Sequence, residues 1–544
     1  MSLALPAIAI ATNGSGVRWR KALTVWIDAV EDGWAVPVLI AGFVAVWMAY
    51  FSLAYLGGDL HQDVIETWSL GRSFEWGSTK HPPLMGWAAW AWTTVFPLTN
   101  WSFNLLALTN GAAGLWAVDR ISRRFARGDK RLTVLLLLML LPVYQLHAQR
   151  FNANAVLLSS WPLATWCFLR SFETRHAGWA VAAGLTAALA MLGKYYSIFL
   201  IVSFAIAALC HSERRAYFTS SAPWIAALSG LAALAPHILW LATTGAQPFS
   251  HAVEHHVGKS AAAALVEAGG FVVAMAGIVG IPGLIWLAMT RPRPSQVLND
   301  ALSLGSGLRL LAMIGIGTVT LPAMVSAMFG TDMPPLWGLQ GVFLFVIVIV
   351  CGASYQAPRE MTVRLAATTI WMAVLAAIVV APLHALYRNY VPLNEGRNFY
   401  QPAAAELDRL WRTTSDRPLA HVGGDDGLAF AAAFYGADHP RYEAALVHPH
   451  ELQTPSTTLT AQGWAALCYD ADLSCVGGMQ QAAALAKRSV RVDFTLRTKL
   501  FGWPGASQGF VALIVPPATE APTENAPDAP QDVSAARRMI PAAD

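Results

Sequence analysis

The sequence predicts a polytopic α-helical membrane protein that ends in a small external α/β domain. Three observations carry this. Of the 544 residues, 55% are hydrophobic and only 13% charged, with 22 tryptophans, against roughly 25% charged in soluble domains. Apolar runs long enough for a helix to cross about 30 Å of hydrocarbon recur through the chain as far as Tyr387. Beyond that point the pattern breaks into the short helical and alternating stretches of a water-soluble fold.

The apolar runs lie at 35–56, 102–119, 131–147, 154–172, 177–193, 196–210, 220–242, 267–290, 309–329, 335–352 and 365–387. A further run, Pro82 to Pro97, is shorter and carries Trp87, Trp90 and Trp92. Whether it crosses is decided by the basic residues, because cytoplasmic loops hold the excess of Lys and Arg. If 82–97 lies along the interface, then Arg18, Arg20 and Lys21 share one side with Arg120 to Arg131, Arg170 and Arg175, Arg214 and Arg215, Arg291 and Arg293, and Arg359 and Arg364. If it crosses, every cluster after the first falls outside. The expectation is therefore about eleven spans, N-terminus inside and C-terminus outside. Residues 1–34 are expected to be cytoplasmic and lack the pattern of a cleaved secretory signal, so the first span reads as a retained anchor.

On this map residues 35–387 form the membrane domain, with external loops at 57–100, 149–154, 194–196, 243–267 and 330–335. The spans hold almost no charge and the loops hold Asp, Glu, His and Lys, so chemistry is expected on the external face. Residues 388–515 read as an external α/β domain. Its helices are expected at 402–413, 429–435 and 479–488, and its strands at 419–423, 463–470, 490–496 and 509–515. The tail 516–544 is rich in Pro, Ala, Asp and Glu and is expected to be disordered. Cys468 and Cys475 fall in the external domain, where an oxidising compartment permits a disulfide, although two cysteines leave the pairing open. The net charge of +3 comes without a basic stripe interleaved with aromatics, which excludes a nucleic-acid partner.

The first external loop, 57–101, concentrates Asp59, Asp63 and Glu66 just beyond a span. Asp63 precedes Val64-Ile65-Glu66-Thr67-Trp68, a helix start, where an Asp serves either as an N-cap or as a functional carboxylate. Eighteen residues on stands Lys80-His81-Pro82-Pro83-Leu84, whose paired prolines fix an extended entry to the next helix.

An Asp opening a short helix, followed at this distance by Gly77 and by His81-Pro82-Pro83-Leu84, resembles the first external loop of the polyprenyl-phosphate-sugar glycosyltransferases of the GT-C fold. That superfamily contains the protein O-mannosyltransferases and the bacterial lipid A aminoarabinose and galacturonic acid transferases. The resemblance continues at Arg120 to Arg127 and at Gly193-Lys194-Tyr195. It implies a GT-C-like membrane fold in the bacterial inner membrane, with an active site that faces the periplasm and no required cofactor or metal. It also implies a sugar donor linked to polyprenyl phosphate, an envelope acceptor with a lipid A-like glycolipid favoured, and Asp63 as general base. Val64 stands where the family commonly has a Glu after this Asp, and Asn154 where a second acid is usual.

Such a reaction needs a carboxylate to take the proton of the attacking hydroxyl and cations to meet the charge gathering on the departing phosphate. Lys80, His81, Arg150 and Lys194 suit the second task, and Glu66, Asn154, Tyr195, His255 and Arg388 complete the expected substrate-binding set. One base in a single displacement would invert the sugar. Several of these residues have plainer readings. Lys194 suits a snorkelling position at a span end, with Tyr195 in an interfacial belt, and Arg388 can mark a domain boundary. His251 and His255 have the i, i+4 spacing of a zinc pair, but no motif completes it, and phosphate contact or a solvated loop remain open. Gly423-Gly424-Asp425-Asp426 lacks the glycine-rich helix fingerprint of a nucleotide site. The rival functions are a protein O-mannosyltransferase, which usually keeps the Asp-Glu pair, and a lipid or solute transporter. A transporter would place ionisable groups within the spans and show an internal repeat.

Overall fold

The computed structural model describes residues 15–246, 248–249, 260–391, 397–446, 456–484, 486–518 and 538–541. Each of the eleven apolar runs is helical over most of its length. Six helices among the described residues are long and apolar enough to cross a membrane: Ala35–Ala54, Ala222–Thr244, Ala261–Thr290, Ser306–Phe329, Pro335–Gly352 and Arg359–Tyr390. Ala177–Gly193 and Tyr195–Cys210 are apolar but shorter. The 131–147 run is interrupted, its helix Gly128–Met139 ending before Pro142, where the missing N–H and the ring break the ladder. The protein is thus membrane-embedded and multi-pass. In the Trp-rich run, the helix Leu84–Thr93 has ten residues and rises about 15 Å, half of what a crossing needs.

The chain divides into two compact units. The first comprises Met1–Ala45, Thr109–Ala148 and Leu157–Val374 and packs mainly helix on helix. With lipid outside, helices gain from close backbone approach rather than from expelling water. At Gly184 a Cβ would meet the Ala226 carbonyl oxygen and Ser229 Oγ at 2.1 Å, so the Ala177–Gly193 and Ala222–Thr244 helices touch at small residues. Arg131, in the basic cluster of the sequence map, is buried. It forks onto Asp119 through Nε and Nη2 at 2.7 and 2.8 Å, the bidentate geometry that makes a buried charge tolerable.

The second unit comprises Val46–Leu108, Gln149–Val156 and Leu375–Asp544, so the 57–101 loop packs with the C-terminal domain. That domain is a six-stranded mixed sheet of β1 (His421–Gly424), β2 (Arg441–Tyr442), β3 (Trp464–Tyr469), β4 (Val490–Leu500), β5 (Trp503–Val515) and β6 (Arg538–Pro541). Its order is β2-β1-β3-β5-β4-β6. β1 runs parallel to β2 and β3, whereas β5 is antiparallel to β3 and β4. Helices Tyr400–Arg412, Asp426–Tyr435 and Leu473–Ala483 accompany the sheet. The last begins six residues earlier than the periodicity predicts, because Asp472 caps it by accepting from the Cys475 amide. Cys468 and Cys475 form a disulfide, both buried in the core with Met479 and Val511. β6, which pairs in parallel with β4, falls in the tail expected to be disordered.

Candidate functional site

The loop after the Ala35–Ala54 helix folds as the helix Gln62–Gly71 crossing the helix Leu84–Thr93. They cross at a glycine pair: a Cβ on Gly71 would meet the Gly86 carbonyl oxygen at 2.2 Å, and one on Gly86 the Gly71 Cα at 2.8 Å. Trp68 packs edge-on against Phe434 and His439 of the C-terminal domain. The Arg72 guanidinium donates to the carbonyls of His439 and Pro440 at 2.7 and 3.1 Å.

Asp63 does not cap this helix. His61 does, its Nδ1 accepting the Asp63 amide at 3.2 Å, which leaves the Asp63 carboxylate in the first turn, where helix amides favour negative charge. Asp63 Oδ2 accepts a hydrogen bond from Asn152 Nδ2 at 2.7 Å, and the side chain is 39% exposed. Asn152 is itself oriented, since its Oδ1 accepts from the amides of Asn154 and Ala155 at 2.9 Å each. Thr67 joins the two segments, its hydroxyl 2.7 Å from the Asp63 carbonyl and 3.1 Å from that of Phe151.

The other two acids of the loop are built into the packing. Asp59 is 4% exposed, and its Oδ2 accepts from the Gln401 amide at 3.1 Å, tying it to the start of the Tyr400–Arg412 helix. Burial pushes its carboxyl up to about 7, against the opposing pull of the Gln401 and Tyr400 amides, Arg388 and Arg397. Glu66 is 8% exposed. Burial likewise raises it to about 7, against the nearby Lys80 ammonium. Lys80 sits between two carboxylates, 3.4 Å from Glu66 and 3.1 Å from Asp426, and the Tyr442 hydroxyl donates to Asp426. Desolvation acts to lower the Lys80 ammonium, but the two acids outweigh it and raise it. Of the three acids, only Asp63 presents its carboxylate to solvent.

The remaining predicted residues are distributed as follows. His81 closes a turn before Pro82, its amide donating to Ser78 Oγ and its carbonyl accepting from the Ser78 amide, both at 3.0 Å. Arg150 and Asn154 flank Asn152, both half-buried. Arg388 is buried, donating to the Ala54 carbonyl at 2.9 Å and to Asn398 Oδ1 at 2.5 Å, with its guanidinium over the Tyr55 ring. In the other compact unit, the Lys194 ammonium lies 4.0 Å from the centre of the Trp337 ring, and the Tyr195 hydroxyl is 2.9 Å from His237 Nε2. His255, with His251, lies outside the described residues. Among the described residues no group of three or more His, Cys, Asp or Glu side chains is arranged to hold a metal ion.

Sequence reasoning missed Asn152, His61 and Asp426. Only Asn152 left a local signal, an Asn shortly before an apolar run, the pattern of an Asx turn opening a helix. Asp426 lies 346 residues from Lys80, and no local pattern reports a partner at that distance.

Residues 80–240 match the family model described as dolichyl-phosphate-mannose-protein mannosyltransferase. The fold is similar to that of ArnT from Cupriavidus metallidurans. The structure of that protein bound to undecaprenyl phosphate superimposes with a TM-score of 0.56 at 14% identity, covering 86% of this chain and 97% of the other. Its apo state gives 0.55 at 14% identity, covering 89% and 98%. A search of curated protein sequences finds no match. Over residues 80–240 the chain is thus similar to a lipid-phosphate-sugar mannosyltransferase family, and it shares its fold with ArnT.

Proposed function

We propose that the enzyme transfers one sugar from a polyprenyl-phosphate donor to an envelope glycolipid of the lipid A type, at the periplasmic face of a bacterial inner membrane. The observation that carries the residue assignment is the solvent-exposed Asp63 carboxylate, anchored through one oxygen by Asn152, while Asp59 and Glu66 are committed to buried contacts. Asp63 takes the proton of the acceptor hydroxyl as that oxygen attacks the anomeric carbon, and the bond to the lipid phosphate breaks on the opposite side. One displacement with one base inverts the anomeric centre. The leaving phosphate gathers charge that cations stabilise; Arg150, Lys194 and His81 are assigned to it, with Tyr195, Asn154 and His255 as further substrate contacts. Lys80, with Glu66, and Arg388 are assigned to holding the second unit together, because their charged groups are already occupied by protein partners. The Cys468–Cys475 disulfide supports an oxidising compartment for the C-terminal domain. The structure of ArnT bound to undecaprenyl phosphate supports the lipid-phosphate donor, and the glycolipid acceptor rests on the resemblance of the first loop to the lipid A transferases.

The test is sugar transfer in membranes from a panel of polyprenyl-phosphate sugars, comparing wild type with Asp63→Asn. Loss of a general base lowers the rate by about 100- to 10,000-fold, and full activity in the variant removes Asp63 from the role. The match of residues 80–240 to a mannosyltransferase family favours one second reading, a protein acceptor. Label from the donor recovered in the protein fraction instead of the glycolipid fraction would decide for it.

A further inference from the structure

The turn between β4 and β5 consists of Phe501 and Gly502, both at positive φ, 51° and 81°. This is the two-residue geometry whose twist suits a hairpin, and its first position favours Asn, Asp or Gly. A bulky aromatic is strained there, and its ring gains little in return from the chain: Phe501 is 84% exposed and Trp503 is 65% exposed. Two large aromatics at the tip of an otherwise well-packed sheet need a partner outside the described chain.

The position of the tip identifies that partner. The Thr498 hydroxyl donates to the Asn389 carbonyl at 2.9 Å, and the Asn389 side-chain amide lies 3.4 Å from the Trp503 carbonyl. At Gly505 the backbones approach so closely that a Cβ would meet the Asn389 carbonyl oxygen at 2.0 Å. Asn389 is in the last turn of the membrane-spanning Arg359–Tyr390 helix. Gly57, three residues beyond the Ala35–Ala54 span, faces the Lys499 carbonyl. The hairpin is therefore fastened to the ends of two spans. Beside it Leu56, Tyr387 and Tyr390 are also exposed, so the apolar surface of the spans continues onto the tip.

We propose that the β4–β5 tip is a membrane-interface anchor, with the Phe501 and Trp503 rings entering the headgroup and upper acyl region of the bilayer beside the Arg359–Tyr390 span. Aromatic rings with an apolar body and, in Trp, a polar N–H favour this depth. Arg497 and Lys499, near the tip on β4, add the positive charge that suits anionic lipid phosphates. The anchor sets the height of the sheet above the membrane, and with it the Gln62–Gly71 helix that packs on the Asp426–Tyr435 helix. It does not depend on which sugar or acceptor the enzyme uses.

The test uses full-length protein, one copy per nanodisc of phosphatidylethanolamine and phosphatidylglycerol. A nitroxide is placed at Phe501→Cys in a Cys210→Ser background, with Tyr390→Cys as the membrane reference and Gln481→Cys, exposed on the Leu473–Ala483 helix, as the water reference. The expected result is that the labels at 501 and 390 collide with oxygen more readily than with a water-soluble nickel chelate, and that the label at 481 shows the reverse. A label at 501 that behaves like the one at 481 overturns the anchor. So does spin–spin broadening between 501 labels in vesicles that disappears on dilution with unlabelled protein, which would assign the tip to a second copy of the chain. Wild-type protein provides an independent reading. Photoactivatable phospholipid should leave adducts on residues 500–504, and adducts on 386–391 with none on 500–504 overturn the proposal.

Discussion

Asn152 donates to Asp63 Oδ2 at 2.7 Å while its own amide oxygen is held by the amides of Asn154 and Ala155. The amide orientation is thus fixed by the backbone, and the Asp63 carboxylate is held by a donor that cannot turn away. A hydrogen bond to a charged group contributes about 1.5–3 kcal/mol.

Asn152→Ala is expected to lower kcat by about 10- to 100-fold, the rate equivalent of losing that bond, with KM for the donor little changed. Asn152→Asp places a second carboxylate against the first. Like charges at that distance disfavour joint ionisation, so the acidic limb of the pH–rate profile should move to higher pH. An unshifted limb would show that Asn152 does not act on the base.

Asp59 bears on stability. Its folded carboxyl titrates near 7, above the roughly 3.9 of an unfolded Asp, so the fold favours the protonated form. Stability from this group is fully present below about pH 4 and is lost as pH rises through 7. Asp59→Asn keeps an acceptor for the Gln401 amide without the buried charge. Its melting temperature should exceed that of wild type at pH 8, and the advantage should disappear at pH 4. Equal differences at both values would contradict a raised carboxyl.

Lys80 is the charge on which two carboxylates rest. Removing one partner of a buried ion pair costs about 3–5 kcal/mol, and here Glu66 is the partner left inside. Lys80→Met should therefore destabilise more at pH 8, where Glu66 is ionised, than at pH 5, where the raised Glu66 is protonated. Glu66→Gln combined with Lys80→Met should recover part of the loss. The check is thermal unfolding of single and double variants, and strict additivity would dissolve the proposed coupling.

The glycine crossing gives a steric prediction. Gly71→Val must separate the Gln62–Gly71 and Leu84–Thr93 helices, because its Cβ alone would overlap the Gly86 carbonyl. Overpacking of this kind costs about 1–3 kcal/mol or more. The variant should lose activity and expose Met85 and Trp68 to proteolysis or exchange near the loop. Gly33→Ala, where nothing lies within 4 Å of the new Cβ, tests a positive φ alone and should be the milder change.

Much of this protein was legible in its residues because the forces involved are local. Eleven apolar runs became helices, and the short Trp-rich run became a helix too short to cross. The C-terminal periodicities placed every core strand of the sheet except the two-residue β2, and the terminal β6 lay in a tail read as disordered. The resemblance of the loop to a known family singled out Asp63 among three acids, and the structure adds that Asp59 and Glu66 are buried.

What the sequence by itself determined is the membrane class and the existence of a C-terminal α/β domain, because hydropathy over a span length and periodicity over a few residues act along the chain; Asp63 as candidate base came from the resemblance of its loop to a known family. Only the tertiary structure decided that His61 caps the helix in place of Asp63, that Asn152 holds the Asp63 carboxylate, that Lys80 serves Glu66 and Asp426, and that Cys468 meets Cys475. Each of these depends on groups brought together by packing. A carboxylate's role is set by whether water or a buried partner surrounds it, and no spacing in a sequence records that.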